Sequence, residues 1–282
     1  MKKKLKLDRP RGVDAGTARI ETPNGKIKAL VLRPEGGNAG APGVLWIHGG
    51  GYFLGMKEMA YMSRAIDLVL IHGATVVAPD YTLSFSKPYP AALDDCMRTL
   101  YWMKDHCKVL GIRDDQLMVG GESAGGGLCR AICLRARDEG KAGIAFQMPL
   151  YPMLDDRDTI TSFSNHGKIW NTSRNHFGWK TYLRGMDSRI VPRYAAPARR
   201  EDLSGMPPCY TFVGDGEPFF AETLQYVDRL RKAGVEAHAD VYKTDIHAFD
   251  MLYPEMKESR EAAAAFNKAF ARAKENFFAE QP

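Results

Sequence analysis

An α/β fold, with a mostly parallel sheet covered by helices on both faces, is predicted for this 282-residue chain by three observations. Short, wholly apolar runs such as Val44-Leu45-Trp46-Ile47 read as strands buried on both sides. Longer stretches with apolar residues at helical spacing separate them, as βαβ crossovers require. Glycine- and proline-rich junctions punctuate the alternation.

Taken in order, Thr17 to Thr22 and Lys26 to Leu32 read as strands joined at Pro23-Asn24-Gly25, an Asn-Gly hairpin signal, so the chain opens antiparallel. After a loop from Arg33 to Pro42 comes the buried strand Val44 to Ile47. A helix is expected over Glu58 to His72, a strand over Ala74 to Ala78 and a helix over Ala91 to Lys108. Gln116 to Val119 is a strand that stops at glycines, and a helix from about Ala124 to Asp138 follows. Ile144 to Met148 is the next buried strand. The alternation breaks between Tyr151 and Arg200, where the aromatic content of Trp170, Trp179 and Tyr182 suits an insertion over the sheet's C-terminal edge, with a short helix at Ser173 to Leu183. It resumes with Cys209 to Val213 (strand), Phe219 to Ala233 (helix), Ala237 to Tyr242 (strand) and Ser259 to Phe278 (helix). That makes eight strands in one domain spanning residues 1–282, with a cap insertion at about 151–200.

A hydrophobic content of 45% supports a substantial core, and 39 basic against 34 acidic residues leave a net charge of only +5. Lys2, Lys3, Lys4 and Lys6 supply much of that surplus and read as a solvated terminus rather than a nucleic-acid or membrane anchor. No apolar run follows them as a signal-peptide core, and none approaches the ~18 residues of a membrane span, so a cytoplasmic protein is expected. The five cysteines, Cys96, Cys107, Cys129, Cys133 and Cys209, are expected as free thiols. Cys129 and Cys133 share a helical face, but no histidine stands at a supporting spacing, so core packing rather than a metal site is expected.

The chemistry centres on Gly121-Glu122-Ser123-Ala124-Gly125. This G-x-S-x-G run, between a strand and a helix, describes a sharp turn that strains the serine backbone and lifts its hydroxyl clear of the sheet. A serine hydroxyl needs an adjacent base, and the base needs a third group to hold its tautomer. In such folds the acid and then the histidine follow the serine, on loops at strand ends. Val213 to Phe219 and Thr244 to Phe249 occupy those places, and His247 is the candidate base. His72 and His106 read as helix-end residues, His238 as an exposed strand residue, and His166 and His176 at most as pocket lining. Acyl transfer also needs donors for a developing oxyanion. His48-Gly49-Gly50-Gly51 directly follows a buried strand, and its bare glycines let Gly49 and Gly50 turn their N–H groups to a substrate, with Gly51 shaping the loop or donating instead. Ala124 supplies the N–H after the nucleophile. A phosphate cradle is excluded by the absence of a following Gly-Lys-Ser/Thr.

With His48-Gly49-Gly50-Gly51-Tyr52, Asp80-Tyr81, Tyr89-Pro90-Ala91-Ala92, the Gly-Glu-Ser-Ala-Gly turn and His247-Ala248-Phe249, the chain from about Pro42 onward resembles the hormone-sensitive-lipase-like bacterial carboxylesterases of the α/β-hydrolase fold. Where that family has Asp-Pro-Leu this chain has Glu217-Pro218-Phe219, so the resemblance assigns the acid to Glu217, with Asp215 as a rival two residues earlier. Ala248 replaces the family's usual glycine. The segment ahead of the motifs is short for the family, which implies a smaller cap and a more open acyl pocket.

The resemblance implies a serine carboxylesterase acting on small, short-chain, acetyl-type esters through an acyl-enzyme at Ser123, without metal or organic cofactor. It admits a homodimer. An amidase or deacetylase using the same residues is the alternative, and a ligand-binding homologue without chemistry is a further one.

Overall fold

The structure, a computed structural model, describes residues 8–37 and 39–282, so the basic tail Lys2 to Lys6 lies outside the described residues. The chain opens on a hairpin of β1 (Val13–Thr22) and β2 (Gly25–Pro34), antiparallel and in register from Thr22↔Gly25 to Val13↔Pro34. Both strands run past the apolar residues that betray them, because one face of an antiparallel pair tolerates solvent.

β3 (Ala41–Ile47) is buried throughout. Then comes a departure from the single helix expected over 58–72: a 3₁₀ turn, Lys57–Met62, is followed by a separate α1 (Ala65–Leu70). Ser63 makes the break. Its backbone is extended (φ −106°, ψ 177°), and its hydroxyl donates to the Ala60 carbonyl and accepts from the Ala65 N–H, at 3.2 and 3.1 Å. A serine hydroxyl competing for backbone partners in this way ends one helical segment and starts the next.

The chain continues through β4 (Thr75–Pro79), α2 (Ala91–Asp105), a one-turn α3 (Cys107–Leu110), β5 (Ile112–Glu122), α4 (Ala124–Glu139), β6 (Phe146–Leu150), α5 (Thr172–Tyr182), β7 (Cys209–Gly214), α6 (Phe220–Lys232), β8 (Ala237–Tyr242), a short α7 (Phe249–Leu252) and α8 (Lys257–Asn276). The expected helix over 91–108 thus divides at His106, the C-cap of α2 and N-cap of α3.

The eight strands form one sheet in the order β1-β2-β4-β3-β5-β6-β7-β8, parallel from β4 to β8. Alternate residues of the central strands face opposite layers. Leu45 and Ile47 join a core with α2, α4 and α6, whereas Val44 and Trp46 join one with α1 and α8. The order reverses between β3 and β5, whose C-terminal ends lie side by side with Ile47 paired to Gly121. A parallel sheet opens a crevice at such a reversal, and the loops after β3 and β5 meet there.

Within residues 151–200, α5 is capped by Asn171, whose side chain accepts from the Arg174 N–H. Its Tyr182 stacks on Tyr52 at 3.9 Å between ring centroids, which ties this segment to the loop after β3. Cys96, Cys107, Cys129, Cys133 and Cys209 are all free, and the buried Cys129 thiol donates to the Val119 carbonyl at 3.3 Å. Among the described residues no helix is long and apolar enough to cross a membrane.

Phe266, fully buried on α8, meets Trp46 edge-on at 6.0 Å and so ties the last helix to the central strand. Phe266→Ala is expected to cost about 3–5 kcal/mol in a guanidinium titration. A loss near that of an exposed-site substitution would contradict this packing.

Candidate active site

β5 runs straight into Ser123, which sits at φ 56°, ψ −117°, a conformation costly for a residue with a Cβ. Three backbone hydrogen bonds pin it: its N–H donates to the Leu150 carbonyl at 3.0 Å, and its carbonyl accepts from Met153 and Gly127. α4 then passes so close to the end of β3 that a Cβ on Gly125 would collide with the backbone carbonyls of Ile47 and His48. The Ala124 N–H, in the first turn of α4, has no intrahelical acceptor.

The loop after β3 lies against this turn. A Cβ on Gly49 would sit 3.3 Å from the Ser123 Cβ. The Gly49 carbonyl accepts from His48 Nδ1 at 2.7 Å, and the Gly50 carbonyl from the Phe53 and Leu54 N–H groups at 3.1 and 2.9 Å, so both carbonyls are held within the loop. His48 is locked by stacking on Tyr81 (4.2 Å, 13° between planes), and the Tyr81 hydroxyl donates to its carbonyl. Burial pushes the His48 pKa down to about 4, so the ring is neutral at neutral pH and its Nδ1–H is the donor.

His247, between β8 and α7, places Nε2 2.9 Å from Ser123 Oγ. Its Nδ1 bonds Glu217 Oε2, and the other Glu217 oxygen accepts from the Gly214 N–H at 3.0 Å. Glu217 is fully buried. Asp215 is exposed, and its Oδ1 is taken by the Thr244 N–H. Of the two sequence candidates for the acid, the structure therefore brings Glu217 to the histidine and turns Asp215, on the same loop, toward the Thr244 amide. Ser123, His247, Gly49 and Gly50 share a recess of about 350 Å³, almost wholly apolar.

Sequence reasoning missed one wall of that recess, formed by Met56, Met59 and Met62. A spacing of three places side chains on one line only in a 3₁₀ turn, whereas the sequence predicts an α-helix over 58–72 that takes in Met59 and Met62 but not Met56. It also missed the polar surroundings of Glu122, which accepts from Trp46 Nε1 at 2.8 Å. Burial, reinforced by the nearby Asp250 carboxylate, pushes the Glu122 pKa up to about 8. His166 and His176 line a separate recess of about 450 Å³. A recess of about 510 Å³ lies at the opposite end of β6 to β8, but its one thiol, Cys209, is raised in pKa by burial and it holds no serine. Among the described residues no group of three or more His, Cys, Asp or Glu side chains could hold a metal ion.

A family model described as the alpha/beta hydrolase fold matches residues 44–251. The esterase LipI of Mycobacterium tuberculosis is 30% identical over 234 residues, 82% of this chain and 73% of that protein. The carboxylic ester hydrolase LipN of the same organism is 30% identical over 250 residues, 86% of this chain but only 65% of that longer protein. Among solved structures, a bacterial heroin esterase superposes with a TM-score of 0.88 at 30% identity, covering 96% of this chain and 87% of its own.

Two outcomes follow from the geometry. Gly125→Val is expected to abolish the serine turn, read as loss of fluorophosphonate labelling at Ser123, and normal labelling would refute the crossing described. Glu122 keeps its proton in the folded chain up to about pH 8 but loses it near the ordinary value of 4.5 when unfolded. The folded state therefore binds more protons in that window, and this group makes stability fall as pH rises from about 4.5 to 8. Glu122→Gln keeps an acceptor for Trp46 and removes the slope, so its gain in Tm should be larger at pH 9 than at pH 5. An equal gain at both would refute the buried, protonated carboxyl.

Proposed function

The chain belongs to the α/β-hydrolase family and is a carboxylic ester hydrolase; from that premise we propose that it works through an acyl-enzyme on Ser123 and takes small esters with short acyl groups. The observation that carries this reading is the unbroken chain from Glu217 through His247 to Ser123 Oγ. His247 Nε2 takes the serine proton as Oγ attacks the ester carbonyl, and Glu217 holds the imidazole and its developing charge. The tetrahedral oxyanion is received by the N–H groups of Gly49, Gly50 and Ala124, while Gly51, which packs on Trp170, shapes the loop. Collapse breaks the bond to the alkoxy oxygen, which leaves as the alcohol with the proton from His247. Water, deprotonated by the same imidazole, then attacks the acyl carbon and frees the acid and Ser123.

The short-chain reading rests on the modest volume of the recess, and we assign residues 151–200 as its cap, because Trp170 from that segment lies at the recess and 6.2 Å from the His247 ring. Closure over the serine raises the value of each donor by excluding water.

Rates on p-nitrophenyl esters from acetyl to palmitoyl test the reading. Activity is expected to peak on short chains and to vanish in Ser123→Ala. Glu217→Gln should lose about 10⁴-fold in kcat, and Asp215→Asn much less. A Ser123→Ala rate equal to wild type, or an Asp215→Asn loss matching Glu217→Gln, would refute the assignment.

A further inference from the structure

Glu217 holds one nitrogen of the catalytic imidazole and Ser123 Oγ meets the other, but neither contact fixes the plane of the ring. Two aromatic rings stand edge-on to His247, each 5.1 Å away: Phe219 at 74° and Tyr151 at 78°. Phe219 is carried by the start of α6. Tyr151 is held differently. It sits at φ 32°, a conformation that a tyrosine keeps only when its surroundings impose it. Its N–H donates to the Phe212 carbonyl, and its fully buried hydroxyl donates to Asp250 Oδ1 at 2.8 Å.

Asp250 is itself 1% exposed, three residues past His247 on α7. Its second oxygen faces Arg64 Nε at 3.2 Å, a charge contact without an aligned hydrogen bond, and Arg64 Nη1 reaches Asp67 at 2.6 Å. Arg64 lies one residue beyond Ser63, the end of the 3₁₀ turn that carries Met59 and Met62, and Met251 and Leu252 beside Asp250 line the same recess. The contact thus joins two walls of the pocket. Set among the apolar residues of this layer and near the buried Glu122, such a polar pair gains little stability over an apolar one of similar volume.

We propose that Tyr151 and Asp250 are positioning residues for His247: the Asp250 carboxylate anchors the Tyr151 phenol, and the anchored ring fixes the imidazole at hydrogen-bond distance from Ser123 Oγ. The inference rests on the serine-esterase reading above. Neither residue touches the ester; each acts through the imidazole.

The test measures kcat and KM on p-nitrophenyl acetate, with functional sites counted by fluorophosphonate titration so that misfolded protein drops out. Tyr151→Phe keeps the ring and removes the tether. It is expected to lower kcat per titrated site about 10-fold, as for one well-placed buried hydrogen bond, with KM little changed. Asp250→Ala should do the same, the double variant should be no slower than the slower single one, and Asp250→Asn, which keeps an acceptor for the phenol, should restore most of the rate. Unchanged kcat per site in Tyr151→Phe, an Asp250→Asn variant as slow as Asp250→Ala, or losses that multiply in the double variant would each overturn the inference. If Asp250→Ala does not fold, Tyr151→Phe and Asp250→Asn decide it. A wild-type rate that survives Ser123→Ala overturns the parent reading as well, whereas a dead Ser123→Ala beside an unimpaired Tyr151→Phe overturns this inference alone.

Discussion

The close crossing of α4 over the end of β3 is the constraint on which the site depends. At Gly125 the helix backbone comes within the space a Cβ would need against the carbonyls of Ile47 and His48. That approach forces the chain to turn sharply at Ser123, which accounts for its positive φ, and it brings the glycine loop that follows β3 against the same turn. Register adds to this: because Ile47 pairs with Gly121, the two loops leave the sheet at one level. Ser123 and the glycine loop after β3 come together without a side chain between them. Strain at the serine is sustained because the sheet and helix on either side are buried and rigid.

Much of this was legible in the sequence, for identifiable reasons. Buried parallel strands announce themselves as apolar runs, and glycines at fixed offsets around Ser123 mark a backbone that must pass close to another. His247 and Glu217 are carried on loops after consecutive strands, so chain order alone narrowed the search. What separated Glu217 from Asp215 in space was the turn after β7, which buries one carboxylate beside the imidazole and points the other at the Thr244 amide. No periodicity encodes that choice; the residue resemblance did.

The misreadings are equally specific. Residues 58–72 carry apolar side chains at intervals that suit an α-helix or a 3₁₀ turn, and the local competition of the Ser63 hydroxyl for backbone groups decided between them. Arg64, Tyr151 and Asp250 were invisible because polar residues far apart in sequence meet only through tertiary packing. A hydrophobic pattern says which face is buried, and it is silent on which buried face carries a charge.

The methionine wall carries a consequence of its own. Met56, Met59 and Met62, each half-buried, line the recess that holds Ser123. Thioether sulfur is the softest, most easily oxidised group in such a lining, and its sulfoxide is polar and chiral. Oxidation there would wet an almost wholly apolar recess while leaving Ser123, His247 and Glu217 chemically intact. Under the proposed ester chemistry, peroxide exposure would then act on substrate affinity before it acts on Ser123, His247 and Glu217, and methionine sulfoxide reduction would restore it.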